Sequence, residues 1–128
     1  MAGVRSFEYY MDRYTKGVSY TRNIEYDNRK SVSKNNLGVD MYRKAARSIG
    51  KYYPDKVNTF ARMLDSTDKT EREICAICLI EFMNPNKEMT ERSLRVIKDK
   101  ALHGDAIDKT LVRYWIKQHA PQELEDYT

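Results

Sequence analysis

Apolar positions recur along most of this chain at the three- and four-residue spacing of amphipathic helices. The densest stretch is Thr70–Met83, which is apolar at every position from Ile74 to Met83 except Glu81. At 100° per residue those side chains surround the cylinder, so the pattern predicts a helix covered on several sides. The run falls short of the roughly 20 residues needed to cross a bilayer. Thr70 and Glu73 have capping-box spacing, which puts the predicted start at Thr70. Before it, Val39, Tyr42, Ala45, Ala46 and Ile49 form one stripe, with Gly50 as its expected stop. Pro54 suits a first helical position, and Val57, Phe60, Ala61 and Leu64 follow at helical spacing. After the break at Asn84-Pro85-Asn86, Met89, Leu94, Ile97 and Ala101 make the next face. A turn at His103-Gly104-Asp105, with Asp105 as N-cap, leads into Ile107, Leu111 and Trp115. The predicted fold is all-α: five to seven helices as stacked antiparallel helical hairpins, either α-α superhelix-like or an orthogonal bundle.

Residues 1–35 read differently. They hold five of the ten tyrosines and few aliphatic side chains. Phe7, Tyr10, Met11 and Tyr14 predict a short helix ending before Gly17. Val18 to Tyr26 roughly alternates, as a lone strand, a partner-binding arm or a further helix would. A strand with no partner is marginal, which favours helix or irregular chain. Lys30–Asn36 is polar and reads as a linker or a helix start. The expected organisation is therefore a Tyr-rich basic segment (1–35), a helical domain (36–120) and an acidic tail (121–128).

Expected helix starts near Asn36, Thr70 and Asp105, and near Pro54 and Glu88, are spaced by about 34 residues. With the buried central helix, this spacing makes Asn36–His119 resemble a short HEAT- or armadillo-like repeat, and the resemblance implies a stack of helical hairpins. Leu37-Gly38 also opens the tetratricopeptide signature, but Tyr42 falls one position late. A second resemblance lies in Ile107–Lys117, which is similar to the recognition helix of transposase-type helix-turn-helix domains. It covers Leu94–His119 and implies DNA binding. It departs in the turn, and Asp105 and Asp108 stand at the end that would meet phosphates.

Charge and chemistry refine the picture. The 128 residues suit one domain with a single core. The net charge of +4 is uneven: +6 over residues 1–60 and −2 over residues 61–128. A basic first half suits a nucleic acid, an anionic membrane or an acidic protein. No signal or membrane-spanning pattern is seen, and two cysteines make no disulfide framework, so a cytoplasmic protein without membrane attachment is expected. Cys75-Ala76-Ile77-Cys78 is a CxxC. A redox pair needs a helix N-terminus and a zinc site four ligands, so buried packing thiols are expected. Glu81 either marks the strip where its helix meets water, pairs with a neighbouring arginine, or acts as an acid or base. His103 and His119 read as helix-end caps. No nucleophile–base set or phosphate loop assembles, so the chain is expected to be no enzyme, with no catalytic, cofactor or metal residues.

Surface residues carry the functional expectation. Lys109, Arg113 and Lys117 form a row on the last helix, Arg92 and Arg95 stand on the one before, and Arg43 and Arg47 on an earlier one. With Tyr9, Tyr10 and Tyr14 they are the candidate interaction residues, since Tyr and Arg are enriched in interface hot spots. The leading expectation is a non-catalytic adaptor or regulator binding another protein, with uncovered aromatic surface favouring homo-oligomers. The alternative is DNA or RNA binding through Arg92, Arg95, Lys109, Arg113 and Lys117.

Overall fold

The computed structural model describes residues 3–22, 24–103 and 106–121. Six α-helices follow in order: α1 (Phe7–Tyr20), α2 (Arg29–Tyr52), α3 (Val57–Phe60), α4 (Lys69–Phe82), α5 (Lys87–His103) and α6 (Ala106–His119). Two 3-10 turns, Pro54–Lys56 and Ala61–Asp65, bracket α3. No strand occurs among the described residues, so the fold is all-α as the pattern predicts. The chain divides into two units. One holds the residues up to Thr59 together with Phe82–Asn84, and the other holds Phe60–Glu81 and the chain from Pro85 onward.

Caps decide where the helices begin. Ser6 Oγ accepts the Tyr9 amide at 3.1 Å and opens α1. Asn28 Oδ1 accepts the amides of Lys30 (3.0 Å) and Ser31 (3.2 Å), so α2 starts at Arg29 rather than near Asn36. The polar run Lys30–Asn36 is thus helix, and the boundary expected between residues 35 and 36 falls inside α2. Asp68 Oδ1 accepts the Glu71 amide at 3.3 Å, two residues ahead of the expected cap Thr70. Thr70 is an interior residue of the first turn of α4. Asn86 Oδ1 does the same for Met89 at 2.8 Å in α5. The expected cap Asp105 and the acidic tail after Pro121 lie outside the described residues.

Two glycines expected to stop helices lie inside them. α1 continues through Gly17 to Tyr20, and α2 through Gly50 to Tyr52. Their missing side chains serve close approach instead. A Cβ on Gly17 would stand 2.6 Å from the Gly38 carbonyl oxygen, and one on Gly38 would stand 2.5 Å from the Gly17 carbonyl oxygen. A Cβ on Gly50 would strike the Phe82 carbonyl. α1 and α2 therefore cross backbone to backbone. Tyr20 meets Gly38, Gly17 meets Met41 and Tyr42, and Tyr14 meets Tyr42, so the two helices run antiparallel.

In the first unit the core is Tyr14, Val18, Met41, Ala45, Ala46, Ile49, Val57 and Met83. In the second it is Phe60, Ala61, Leu64, Cys75, Ala76, Cys78, Leu79, Leu94, Ile97, Ala101, Val112, Ile116 and Ala120. Burying one large apolar side chain contributes about 1.5–3 kcal/mol. Within the second unit α4 is enclosed, as its circumference predicts. No residue from Glu71 to Phe82 is exposed. Cys75 Sγ donates to the Phe60 carbonyl, Arg72 donates to the Ser66 carbonyl at 2.8 Å, and Lys100 of α5 pairs with Glu73 at 3.2 Å.

The buried face of α6 differs from the expected one. Val112 and Ile116 are buried, whereas Leu111 is 60% exposed and Trp115 half-buried. The helix is turned by one residue, about 100°. That roll leaves the Trp115 indole N–H where it can reach an acceptor, which a wholly buried indole needs.

Candidate functional site

The antiparallel crossing of α1 and α2 leaves a groove of 270 Å³ on one side. Tyr9, Tyr10 and Arg13 of α1 form one wall. Leu37, Asp40, Met41, Lys44, Ala45 and Ser48 of α2 form the other. Met41 and Ala45 are buried and floor the groove, while Leu37 stays 52% exposed and Tyr9 41% exposed. Asp40 and Lys44 pair at 3.0 Å across one turn of α2 and give the apolar floor a charged rim. The opening is concave, mostly apolar at its base and polar at its edge, as recognition sites commonly are.

Its tyrosine wall is held from behind. The Tyr53 hydroxyl donates to the Arg5 carbonyl at 2.6 Å, and the Arg5 amide donates to the Tyr10 hydroxyl at 3.1 Å. The Tyr53 ring stacks edge-on against Phe7 and lies tilted against Tyr10, with centroids 5.9 Å and 6.3 Å apart. Tyr9 in turn meets Tyr10 edge-on at 5.5 Å, and the Arg5 guanidinium lies 5.1 Å from the Tyr9 ring centre. These contacts fix two rings before any partner arrives, which lowers the ordering cost of binding.

The candidate residues divide among several places. Tyr9 and Tyr10 share the groove. Tyr14, 1% exposed and edge-on to Tyr42, is core and presents no ring to a partner. Its spacing from Tyr10 puts it on the same helical face, but further into the crossing. Arg43 and Arg47 both lie over the Phe82 ring, at 4.8 Å and 5.3 Å from its centre. Arg92 pairs with Asp65 and reaches Met89 Sδ, so it is a structural cation. Arg95 is exposed on the side of α5, and Lys109, Arg113 and Lys117 are exposed on α6. Sequence reasoning missed Leu37 and Tyr53. Only the helical register from the Asn28 cap could have signalled that Leu37 points away from the core.

Residues weighed for chemistry are otherwise engaged. Cys75 and Cys78 are free thiols, fully buried in the middle of α4. Burial, reinforced by the nearby Glu71 carboxylate, pushes the Cys75 thiol far above the ordinary thiol range. The Glu81 side chain is only 8% exposed, so it does not mark a solvent strip. Its Oε1 accepts the Trp115 indole N–H at 3.1 Å and lies 3.2 Å from His119 Nε2. The Trp115 and His119 rings stack with centroids 4.9 Å apart. His119 is thus a partner of a side chain in α4 rather than a cap, and His103 pairs with Asp99 at 3.2 Å. Among the described residues no three His, Cys, Asp or Glu side chains gather as metal ligands would. No helix among them is long and apolar enough to cross a membrane.

Comparison of the chain with protein-family models, with curated proteins and with solved structures finds no match.

Proposed function

We propose that this chain is a non-catalytic interaction module, a small adaptor or regulator, that binds another protein in the groove between α1 and α2. One observation carries the reading: Leu37 and Tyr9 stand half in water on opposite walls of an apolar groove whose tyrosines are already locked. Exposed apolar side chains gathered at a concavity, rather than scattered, mark binding surfaces. The groove's shape suits an amphipathic helix laid between two helices, with its polar edge meeting Arg13, Asp40 and Lys44. The inert setting of both thiols and the engaged Glu81 carboxylate support a binding role over a catalytic one.

Photo-crosslinking tests it. A benzophenone side chain in place of Leu37 should yield a discrete adduct with one protein in the source cells. The same group in place of the exposed Asn58 should not, and Tyr9→Glu should abolish the adduct from position 37. Equal labelling from both positions, or none from position 37, would reject the groove as the binding surface.

A further inference from the structure

The corner where α1 hands over to α2 carries a second concavity, separate from the groove. It encloses 540 Å³ and is lined by Tyr20, Arg22, Glu25, Lys30, Ser31 and Lys34 among others. Arg22, Lys30 and Lys34 thus line it with one carboxylate, Glu25, which accepts the Asn28 side-chain amide at 3.5 Å, and Asp27 stands in the adjoining connection. The Lys34 ammonium lies 5.1 Å from the Tyr20 ring centre, so cation and aromatic face adjoin. Arg29 and Lys30 open α2, and its first turn holds no acidic residue. Cations at a helix N-terminus are the disfavoured sign for the macrodipole.

One further side chain stands out. Tyr26, in the connection between the helices, is 83% exposed. Among the described residues of the corner it is the only large apolar side chain left in water. A basic pocket whose lining residue Glu25 is followed in the chain by an exposed flat ring matches the two halves of a nucleotide: phosphate for the cations, base for the ring. The Asn28 side chain already occupies the amides of Lys30 and Ser31, so an anion here is held by side chains. The corner consists of two helix ends and a turn. It offers no helix flank to a major groove, as duplex reading requires. A membrane surface would call for several exposed aliphatic side chains around the basic residues, and the corner has none.

We propose that the α1–α2 corner binds single-stranded nucleic acid, with phosphates in the Arg22–Lys30–Lys34 pocket and a base stacked on Tyr26. The site does not depend on the groove, and either can fail alone.

Fluorescence anisotropy of the full chain with labelled U15, at several salt concentrations, reads the proposal. Binding should weaken with salt. Replacing Arg22, Lys30 and Lys34 together with Gln should reduce the log–log salt slope by about 2, since each phosphate contact on a single strand contributes about 0.7. Tyr26→Ala should weaken binding about tenfold through lost stacking. Lys51→Gln with Lys87→Gln, exposed cations elsewhere, should change neither. A duplex of equal length should bind more weakly and ignore Tyr26→Ala. No binding to U15 at low salt overturns the proposal. So does loss only on changing Arg113 and Lys117, which would place nucleic acid on α6. Binding to phosphatidylserine-containing vesicles but not to U15 would make the corner a membrane contact instead.

Discussion

Gly17 and Gly38 meet backbone to backbone, each leaving no room for a Cβ between its own helix and the carbonyl oxygen of the other. That contact sets how near α1 comes to α2, and so how the Tyr9 and Leu37 walls of the groove face each other. Both glycines lie within helices, where alanine would ordinarily be favoured by about 1 kcal/mol. Here the added methyl would stand within 2.6 Å of backbone, which cannot yield as a flexible side chain can. Gly17→Ala and Gly38→Ala should each destabilise the protein by about 1–3 kcal/mol, as overpacking does. Urea denaturation measures this, and a gain in stability from either change would disprove the close crossing.

Glu81 and Trp115 tie α4 to α6. Glu81→Ala would leave the indole N–H without its acceptor and should cost about 1–3 kcal/mol. Glu81→Gln keeps an acceptor and should cost less. Trp115 is the only tryptophan, so its fluorescence reports this contact alone. A red-shifted emission is expected for Glu81→Ala and a near-native one for Glu81→Gln. Identical spectra for both variants would count against the bond.

Cys75 makes the protein sensitive to alkali. Its thiol is held protonated by burial, so its folded value lies above the ordinary one of 9.0. For a group raised in this way, the stability contribution is complete below the unfolded value and declines as pH climbs above it. Stability from urea midpoints should therefore fall above about pH 9 in the native protein, and less steeply in Cys75→Ala. Native-state labelling by a thiol reagent should need an opening event and accelerate with urea. Immediate labelling of both cysteines would contradict their burial.

Ser93 is fully buried on α5, and its hydroxyl finds no hydrogen-bond partner among the described residues. A buried hydroxyl without a partner costs free energy, and alanine is the better helix former. Ser93→Ala should raise stability by about 0.5–1 kcal/mol. A loss of more than that amount in thermal or urea denaturation would show that the hydroxyl has a role.

Phe82 carries two guanidinium groups over its ring. Phe82→Leu keeps apolar volume but removes the aromatic face, and a double-mutant cycle with Arg47→Ala should return a coupling of about 0.5–1 kcal/mol. A coupling near zero would make the Arg47 contact incidental.

Helix content and the enclosure of α4 were legible because both follow from local rules. A run apolar on all sides must be covered, whatever covers it, and the break at Asn84–Asn86 is chemical. Boundaries were less legible. Asn28 and Asp68 win their caps over Asn36 and Thr70 by competition among several eligible residues, and only the finished fold records the winner. Gly17 and Gly50 show the same limit: a glycine that ends a helix and one that admits another backbone look identical in sequence. The groove was half legible. Tyr9 and Tyr10 announced themselves as aromatics, but Leu37 stood outside the apolar stripe and Tyr14 read as surface until the crossing sorted them.

The sequence by itself determined that the chain is all-α, that α4 is enclosed, and that its two thiols lie within an apolar run. Each of these depends on periodicity and composition, which act over one or two turns. Only the tertiary structure decided which face of α6 is buried, that Glu81 receives Trp115 and His119, and that α1 and α2 touch through glycine. These are contacts between residues 21 to 38 positions apart. Their partners are chosen by how whole helices roll and cross, and a roll of one residue exchanges a buried stripe for an exposed one.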